Sequence, residues 1–252
     1  MPLGGGAPTT LAAGQDGPGF IPIDDTSVYW TDQAGGTVMK VALGGGPPAT
    51  LVSQQRSPTG IAISRTSVYW ASVGCPSDGG SCDGTLMKVG LGGGTPTTIA
   101  SGPIDFHSIA VDDTNVYWST DTAVMKTPVG GGTTTTLASG QNLPYSLAVD
   151  STRVYWSNEG GNVMSVPIDG GAASTLATGR SALLIAVDAT SVYWARHGDS
   201  ACQGTVVKVP VGGGILTTLA SGLASPYGVA VDGTSVYLTD LVDGNILKVT
   251  PK

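Results

Sequence analysis

Charged and histidine side chains are scarce in this chain of 252 residues, and their scarcity narrows its possible functions. Only 12% of the residues are charged, Glu159 is the single glutamate, and the two histidines are His107 and His197. Two histidines cannot build a site that needs three histidine ligands. The net charge is −7 and the basic residues form no cluster, which argues against a nucleic-acid partner.

Long hydrophobic runs are also missing. No stretch approaches the ~20 apolar residues that a membrane-spanning helix needs, so we expect no membrane insertion. The first six residues, MPLGGG, have neither the basic start nor the apolar stretch of a secretory signal. The chain opens inside a repeat unit, as if an upstream segment had been removed, and the missing signal therefore weighs little against export.

Three cysteines are present, and two of them share one loop. Cys75 and Cys82 flank the segment PSDGGS, where either a disulfide or a pair of thiolate metal ligands would account for them. Neighbouring cysteines at metal sites are usually about 2–4 residues apart and have further ligands nearby, so the spacing favours a disulfide. A disulfide would indicate an oxidising compartment, and we expect an extracytoplasmic protein, periplasmic or secreted. Cys202 has no evident partner, and a leftover free thiol is the simplest interpretation, although the sequence does not fix its state.

A sixfold repeat dominates what the sequence does contain. Val-Tyr followed by Trp or Leu recurs at spacings of 40, 48, 38, 38 and 44 residues, beginning at Val28, Val68, Val116, Val154, Val192 and Val236. This is the period of a four-stranded propeller blade, and abundant Gly and Pro favour short strands joined by tight turns. The sequence therefore predicts an all-β fold: a six-bladed β-propeller with four antiparallel strands per blade, as one domain over residues 1–252.

Each repeat predicts four strands, A to D, separated by turn residues. Strand A is Val-Ala-Val, strand B Ser-Val-Tyr-Trp, strand C Val-Met-Lys-Val and strand D Thr-Thr-Leu-Ala-Ser. Blades pack face to face, so the Val and Trp of strand B should contact one neighbour and the Tyr the other. An aspartate ends strand A in five repeats, where an Asx-turn explains it better than a metal site does: Asp24, Asp112, Asp150, Asp188 and Asp232. The recurring strand-C lysines are interpreted as solvated or edge-protecting: Lys40, Lys88, Lys126, Lys208 and Lys248.

The two ends of the chain complement each other. Residues 1–14 supply a C–D turn and a strand D, whereas residues 226–250 supply strands A, B and C without a D. We expect the N-terminal strand to pair with strand C of the last blade, which would leave no open sheet edge at the seam.

The segment Tyr29-Trp30-Thr31-Asp32 resembles the YWTD signature of six-bladed propellers in lipoprotein-receptor ectodomains, and Pro226–Asp232 with Val236–Asp240 resembles the NHL repeat. The resemblance covers essentially the whole chain and implies the six-bladed fold. Only the first and last repeats keep the final Thr-Asp, so receptor-type ligand recognition is not carried over. Related six-bladed propellers include gluconolactonase-like hydrolases, peptidyl-hydroxyglycine lyases and streptogramin-type lyases, which implies a metal or histidine-led site as an alternative.

The side chains that the repeat does not explain collect on one face of the predicted propeller. Loops entering strand A and loops joining B to C share that face, and the non-repeated Tyr, Phe and His lie in or beside them. We predict a ligand site at the channel mouth formed by Thr59, His107, Tyr145 and Tyr227, with a rim of Asp32, Glu159, His197 and Asp240. Aromatic and polar groups that converge on a concavity are typical of a small-ligand or peptide site. The alternative is that these side chains only plug the mouth.

Three functional hypotheses follow. The first is a non-enzymatic, monomeric binding or scaffold propeller without a cofactor, which recognises a peptide, protein or glycan. The second is a metal-dependent lyase or lactonase with a divalent metal and with His107 or His197 as base or ligand. The third is a purely structural or designed repeat propeller, suggested by the regularity of the chain. We favour the first, because the carboxylates fall mostly at turns and only two histidines exist.

Overall fold

The computed structural model describes residues 10–74, 83–102, 106–179, 182–197 and 203–252. Within these ranges the named elements are all β-strands, and no helix there is long and apolar enough to cross a membrane. The described residues form two compact units. The first comprises those up to Phe106 together with Val129–Gly132, and the second comprises those of His107–Pro128 and Thr133–Lys252. A single domain over residues 1–252 stays a prediction.

The first unit contains two antiparallel sheets whose strands pair in chain order. The first sheet consists of β1 (Ser27–Asp32), β2 (Thr37–Ala42) and β3 (Ala49–Val52). The second sheet consists of β4 (Pro58–Ile63), β5 (Ser67–Gly74), β6 (Asp83–Gly90) and β7 (Thr97–Gly102).

The second unit contains four antiparallel sheets, again with strands paired in chain order. The third sheet consists of β8 (Ile109–Val111), β9 (Asn115–Ser119), β10 (Ala123–Pro128) and β11 (Thr135–Ser139). The fourth consists of β12 (Pro144–Val149), β13 (Arg153–Asn158), β14 (Val163–Pro167) and β15 (Ser174–Ala177). The fifth consists of β16 (Ala182–Val187), β17 (Ser191–Arg196), β18 (Gly204–Pro210) and β19 (Thr217–Leu223). The sixth consists of β20 (Pro226–Val231), β21 (Val236–Asp240) and β22 (Asn245–Val249).

Six consecutive antiparallel sheets, each of three or four strands, are the blades of a six-bladed β-propeller. The predicted all-β class and the number of blades are therefore confirmed. Four of the sheets have four strands within the described residues, and the first and the last have three.

Proline accounts for the missing strand A of the first sheet. The described residues before β1, from Thr10 on, form only two isolated bridges, from Pro18 to Asp32 and from Ile23 to Val28. Pro22 stands between them and has no N–H to donate to a ladder, although its carbonyl still accepts a hydrogen bond from the Tyr29 N–H at 3.0 Å.

The predicted closing strand lies mostly outside the described residues. Of residues 1–14 the structure describes only the last five, which contain no strand. In this segment Leu11 and Ala12 pack against the first-sheet cluster of Val28, Trp30 and Val41. Pairing of the N-terminal strand with the last sheet stays a prediction.

The Tyr and Trp of the central strand in the fourth sheet contact opposite neighbours, as predicted. In the second unit, Tyr117 of the third sheet packs with Val154 and Trp156 of the fourth. Tyr155, adjacent to Trp156 in the chain, packs instead with Trp194 of the fifth sheet. An aromatic side chain buries about 150–250 Å². These alternating contacts therefore supply much of the packing between sheets, and they leave the strand ends free to vary.

The A–B turns confirm the predicted Asx geometry and add a bond to the repeated tyrosine. Asp150 Oδ1 accepts the N–H groups of Thr152 at 2.7 Å and Arg153 at 2.8 Å, and its Oδ2 accepts the Tyr155 hydroxyl at 2.7 Å. The same three bonds are made by Asp24, Asp112, Asp188 and Asp232. In the second sheet Ser64 replaces the aspartate and accepts two N–H groups at 3.3 Å.

Three strand-C lysines are not simply solvated, so the interpretation made from the repeat is wrong for them. The Nζ of Lys40 donates to the carbonyl oxygen of Leu91 at 2.8 Å, in the C–D turn of the next sheet. Lys126 donates in the same way to Ile168 at 2.6 Å. Lys88 donates to the carbonyl oxygen of Val129 at 2.9 Å. These lysines tie the turn of one sheet to the strand of another.

Candidate functional site

A cavity of about 300 Å³ lies in the second unit, at the ends of strands from several sheets. Its described lining is His107, Leu143, Tyr145, Glu159, Leu183 and Tyr227. Four of the eight predicted site residues are therefore brought together here. Leu183 occupies the position in the fifth repeat that corresponds to Tyr145 and Tyr227, whereas Leu143 was missed by the sequence reasoning.

Backbone irregularities aim the side chains of three sheets into this cavity. Tyr145, Leu183 and Tyr227 are each the second residue of the first strand in their sheet. In all three strands the pairing register shifts next to that residue. A bulge leaves an extra residue unpaired and re-aims its side chain. The fold thus provides one equivalent position per sheet, and the sequence chooses what fills it.

The two tyrosines meet through their hydroxyl groups. Tyr145 Oη and Tyr227 Oη lie 3.3 Å apart although 82 residues separate them in the chain. Tyr145 is 42% exposed, so a ligand can reach it from solvent. The hydrogen bond with Tyr145, together with burial, raises the pKa of Tyr227 to about 12. The Tyr227 hydroxyl therefore remains a neutral hydrogen-bonding group near pH 7.

His107 is paired with an acidic residue that the sequence reasoning did not identify. His107 Nε2 lies 2.6 Å from Asp121 Oδ1, and the Asp121 side chain is 58% exposed. A carboxylate oxygen accepts, so Nε2 carries the hydrogen that points at Asp121. Asp121 lies in the loop between β9 and β10, where a B–C loop was expected to contribute. The position of Asp121 in a B–C loop could by itself have identified it as a candidate site residue.

The backbone of Leu143 connects the acidic loops. Its N–H donates to the carbonyl oxygen of Asp121 at 2.8 Å, and its own carbonyl accepts the Glu159 N–H at 3.1 Å. Leu143 has φ of 46°, in the left-handed region that costs a bulky residue of order 1–3 kcal/mol. Strain of this kind clusters at binding and active sites. Glu159 itself is exposed, in the turn after β13.

His197 and Asp240 lie in the same unit but outside the described lining of the cavity. Both contact Ser225: the Asp240 carboxylate accepts the N–H groups of Ala224 and Ser225 at 2.9 Å, and Ser225 Oγ lies 3.3 Å from His197 Nδ1. Burial opposes ionisation of Asp240, but the amide hydrogen bonds outweigh it and lower its pKa. The carboxylate therefore holds the loop before β20, the strand that carries Tyr227.

Thr59 and Asp32 belong to the first unit. Thr59 is the second residue of β4, again beside a register shift, and its hydroxyl lies 3.5 Å from the carbonyl oxygen of Ala71. Asp32 ends β1 and is only 7% exposed. Within the part of the chain that the structure describes, Asp32 Oδ1 is buried without a hydrogen-bond partner.

The described residues offer little for a metal ion. They contain no group of three or more His, Cys, Asp or Glu side chains placed to hold one. The predicted Cys75–Cys82 disulfide and Cys202 fall outside the described residues.

A second cavity of about 330 Å³ lies within the first unit, and the sequence reasoning missed it. It is lined by Gln54, Gln55, Arg56, Ser72, Asp83, Thr85, Met87 and Thr98. Several of these groups serve the repeat. Gln55 Oε1 accepts the Trp70 indole N–H at 3.1 Å, and Gln141 binds Trp156 equivalently at 3.0 Å. The second-unit cavity is the stronger candidate, because its lining side chains have no such repeated role.

Comparison with known proteins supports the fold and leaves the function open. No protein-family model and no curated protein matches the chain. A chain of the nidogen/laminin complex is similar over 86% of both chains, with a TM-score of 0.64 and 17% identity. The computationally designed Ika8 protein is similar over 91% of this chain and 73% of its own, with a TM-score of 0.66 and 18% identity. Streptogramin B lyase is similar over 96% of this chain and 85% of its own, with a TM-score of 0.69 and 10% identity. At these identities the likeness shows the fold alone.

Proposed function

We propose that this protein is a binding module that recognises a peptide, protein or glycan through the second-unit cavity. The observation that carries the proposal is the convergence of His107, Tyr145, Glu159 and Tyr227, which the repeat does not require, on one concavity of about 300 Å³. Small-molecule sites have volumes of roughly 300–1,000 Å³. The cavity therefore suits one side chain, one sugar unit or one small group of a larger ligand.

The chemistry of the lining supports recognition. Leu143 and Leu183 provide apolar wall, and the tyrosines provide aromatic surface with polar tips. A few polar groups on a mostly apolar concavity orient a ligand and give specificity. The strained backbone of Leu143 holds the acidic loops beside the cavity before any ligand arrives.

The rest of the proposal follows from the sequence. The repeat is proposed to be of the YWTD or NHL-like type. The protein is proposed to act as an extracytoplasmic monomer that needs no cofactor, binds no nucleic acid and does not insert into a membrane.

An enzyme is the second candidate, because His107 and Asp121 form a close pair at 2.6 Å beside the cavity. A histidine oriented by a carboxylate is a suitable general base. A lyase or lactonase with a divalent metal would recruit this pair as ligands or as a base. A purely structural or designed propeller is the third candidate, and it predicts no specific ligand.

Peptide and glycan arrays probed with the wild type and with the double variant Tyr145→Ala/Tyr227→Ala test the proposal. We expect a defined set of wild-type ligands, whose signals fall at least tenfold in the double variant. Asp113→Asn, an exposed change in the A–B turn, is the matched control and should keep every signal. Ligands that bind both proteins equally would place the site elsewhere.

Elemental analysis of the purified protein tests the metal-dependent alternative, which requires a stoichiometric divalent ion.

A further inference from the structure

Two of the hydrogen-bond donors at the second-unit cavity are already satisfied within the protein. Glu159 is a carboxylate and accepts only. Asp121 Oδ1 lies 2.6 Å from His107 Nε2 and accepts its hydrogen, so this donor is already satisfied within the protein. The hydroxyls of Tyr145 and Tyr227 lie 3.3 Å apart, so one of them donates to the other. A ligand rich in hydrogen-bond donors would satisfy the Glu159 carboxylate and the remaining lone pairs of the tyrosine hydroxyls.

Charge favours the same kind of ligand. The described lining contains Glu159 but no lysine or arginine. Asp121 is close to this lining because it contacts the lining residue His107. The net charge of the chain, −7, adds a long-range attraction for cations, which salt screens. An anionic ligand would meet the Glu159 carboxylate and find no described basic partner in the lining.

Aromatic and apolar surface completes the match. A Lys or Arg side chain combines an apolar stem with a cationic head. Leu143 and Leu183 offer surface for the stem. The rings of Tyr145 and Tyr227 offer faces that attract a cation within about 6 Å of the ring centre.

We propose that the second-unit cavity binds the ammonium or guanidinium group of a basic side chain, lysine or arginine, carried by a peptide partner. The inference rests on the proposed binding function and specifies its ligand class. Glu159 provides the opposite charge, the two tyrosines provide the aromatic faces, and the two leucines provide the contact for the stem.

Calorimetric titration with three capped tripeptides tests the inference: Ac-Gly-Lys-Gly-NH2, Ac-Gly-Arg-Gly-NH2 and the neutral Ac-Gly-Gln-Gly-NH2. We expect the basic peptides to bind about fivefold or more tightly than the Gln peptide, which is the scale of a partly exposed charge pair. Glu159→Gln should abolish this preference. Asp113→Asn, which removes the same charge from a turn at the opposite end of β8 and β9, should preserve it.

A free amine separates the two sources of such a cation. n-Butylamine carries the head group and stem of a lysine side chain without a peptide backbone. We expect it to bind more weakly than the Lys peptide. If n-butylamine bound as tightly as the peptide, the site would be one for small amines and the peptide partner would be overturned.

The titrations distinguish failure of this inference from failure of the proposed function. If Tyr145→Ala weakens the Gln peptide or an array-selected glycan, while Lys and Gln peptides bind equally, the cation preference is overturned and the binding function stands. If Tyr145→Ala weakens no probe, both are overturned. Matching thermal unfolding curves for wild type, Glu159→Gln and Tyr145→Ala show that the folded protein is being compared.

Discussion

The two ends of the blade strands in the second unit differ in how strictly they repeat. At the A–B turns every sheet uses an aspartate that binds its turn amides and its tyrosine, as Asp150 does. At the opposite end the equivalent position changes from sheet to sheet: Tyr145, Leu183 and Tyr227. The turn is needed in every sheet for the strands to pair, whereas the bulged position can accept any side chain. The repeated end is therefore the scaffold, and the variable end is where binding specificity can arise.

Breaking the repeated core should give the largest effect. Trp156 is 0% exposed, and we expect Trp156→Ala to lower the free energy of unfolding by about 3–5 kcal/mol. Tyr145→Ala, at the variable end, should lower it by less than about 1 kcal/mol, because Tyr145 is 42% exposed. Urea unfolding followed by far-ultraviolet circular dichroism measures both. Equal losses would contradict the distinction between the two ends.

Removing one turn carboxylate should have the next largest effect. Asp150→Ala leaves the buried Tyr155 hydroxyl and two N–H groups without their acceptor, and we expect a loss of about 2–3 kcal/mol. Tyr155→Phe removes only one of these bonds and should cost about 1 kcal/mol. The same urea experiment compares the two variants. A loss in Tyr155→Phe as large as in Asp150→Ala would show that the turn amides contribute nothing.

Acid should weaken the repeated end through these carboxylates. Burial opposes ionisation of Asp24, but hydrogen bonds from Thr26, Tyr29 and Ser27 outweigh it and lower its pKa to about 2. The pKa values of Asp112 and Asp150 are lowered by the same kinds of bond. An unfolded aspartate has a pKa of about 3.9. The turns thus contribute fully above about pH 4, and their contribution is lost as the pH falls through the folded pKa values.

Urea midpoints measured from neutral pH to about pH 2 follow this loss. Asp150→Asn should make the decline shallower, because an amide has no proton to take up in this range. Asp113→Asn, at an exposed position in a neighbouring turn, should leave the slope unchanged. The same slope in wild type and Asp150→Asn would contradict the role of the turn carboxylates.

The smallest effect concerns the variable end and is spectroscopic. The hydrogen bond with Tyr145 is the main cause that raises the pKa of Tyr227 to about 12. Tyr145→Phe should lower it toward the ordinary value of about 10. Titration of ¹³C-labelled tyrosine by NMR reports the change. A Tyr227 pKa that stays near 12 in Tyr145→Phe would show that the two hydroxyls are not bonded in solution.

Much of the fold could be predicted because each strand and turn is local and recurs. The spacing of Val-Tyr-Trp predicted the central strands, and an aspartate in five of the six repeats predicted the A–B turns. The Asp150–Tyr155 bond was missed, although its fixed spacing of five residues was visible in five repeats. The loss of strand A in the first sheet could also have been read from Pro22, which cannot donate.

Four of the eight residues that the sequence pointed to line the second-unit cavity, but their contacts could not be predicted. Equivalent positions in the repeat placed Tyr145 and Tyr227 at matching strand ends, yet their contact joins residues 82 apart and depends on how the sheets pack. The pairing of His107 with Asp121 depends on the shape of a B–C loop, which residue spacing does not determine. The roles of Asp240 and Leu143 depend on backbone hydrogen bonds, which carry no residue-specific pattern.

NMR titration of the ¹³C-tyrosine-labelled protein with its tightest array-selected ligand tests the central claim most directly. The account predicts that the ring signals of Tyr145 and Tyr227 shift with one common affinity, while the repeated tyrosines, such as Tyr155, do not move. Saturating ligand that leaves Tyr145 and Tyr227 unshifted would contradict the assignment of binding to the second-unit cavity.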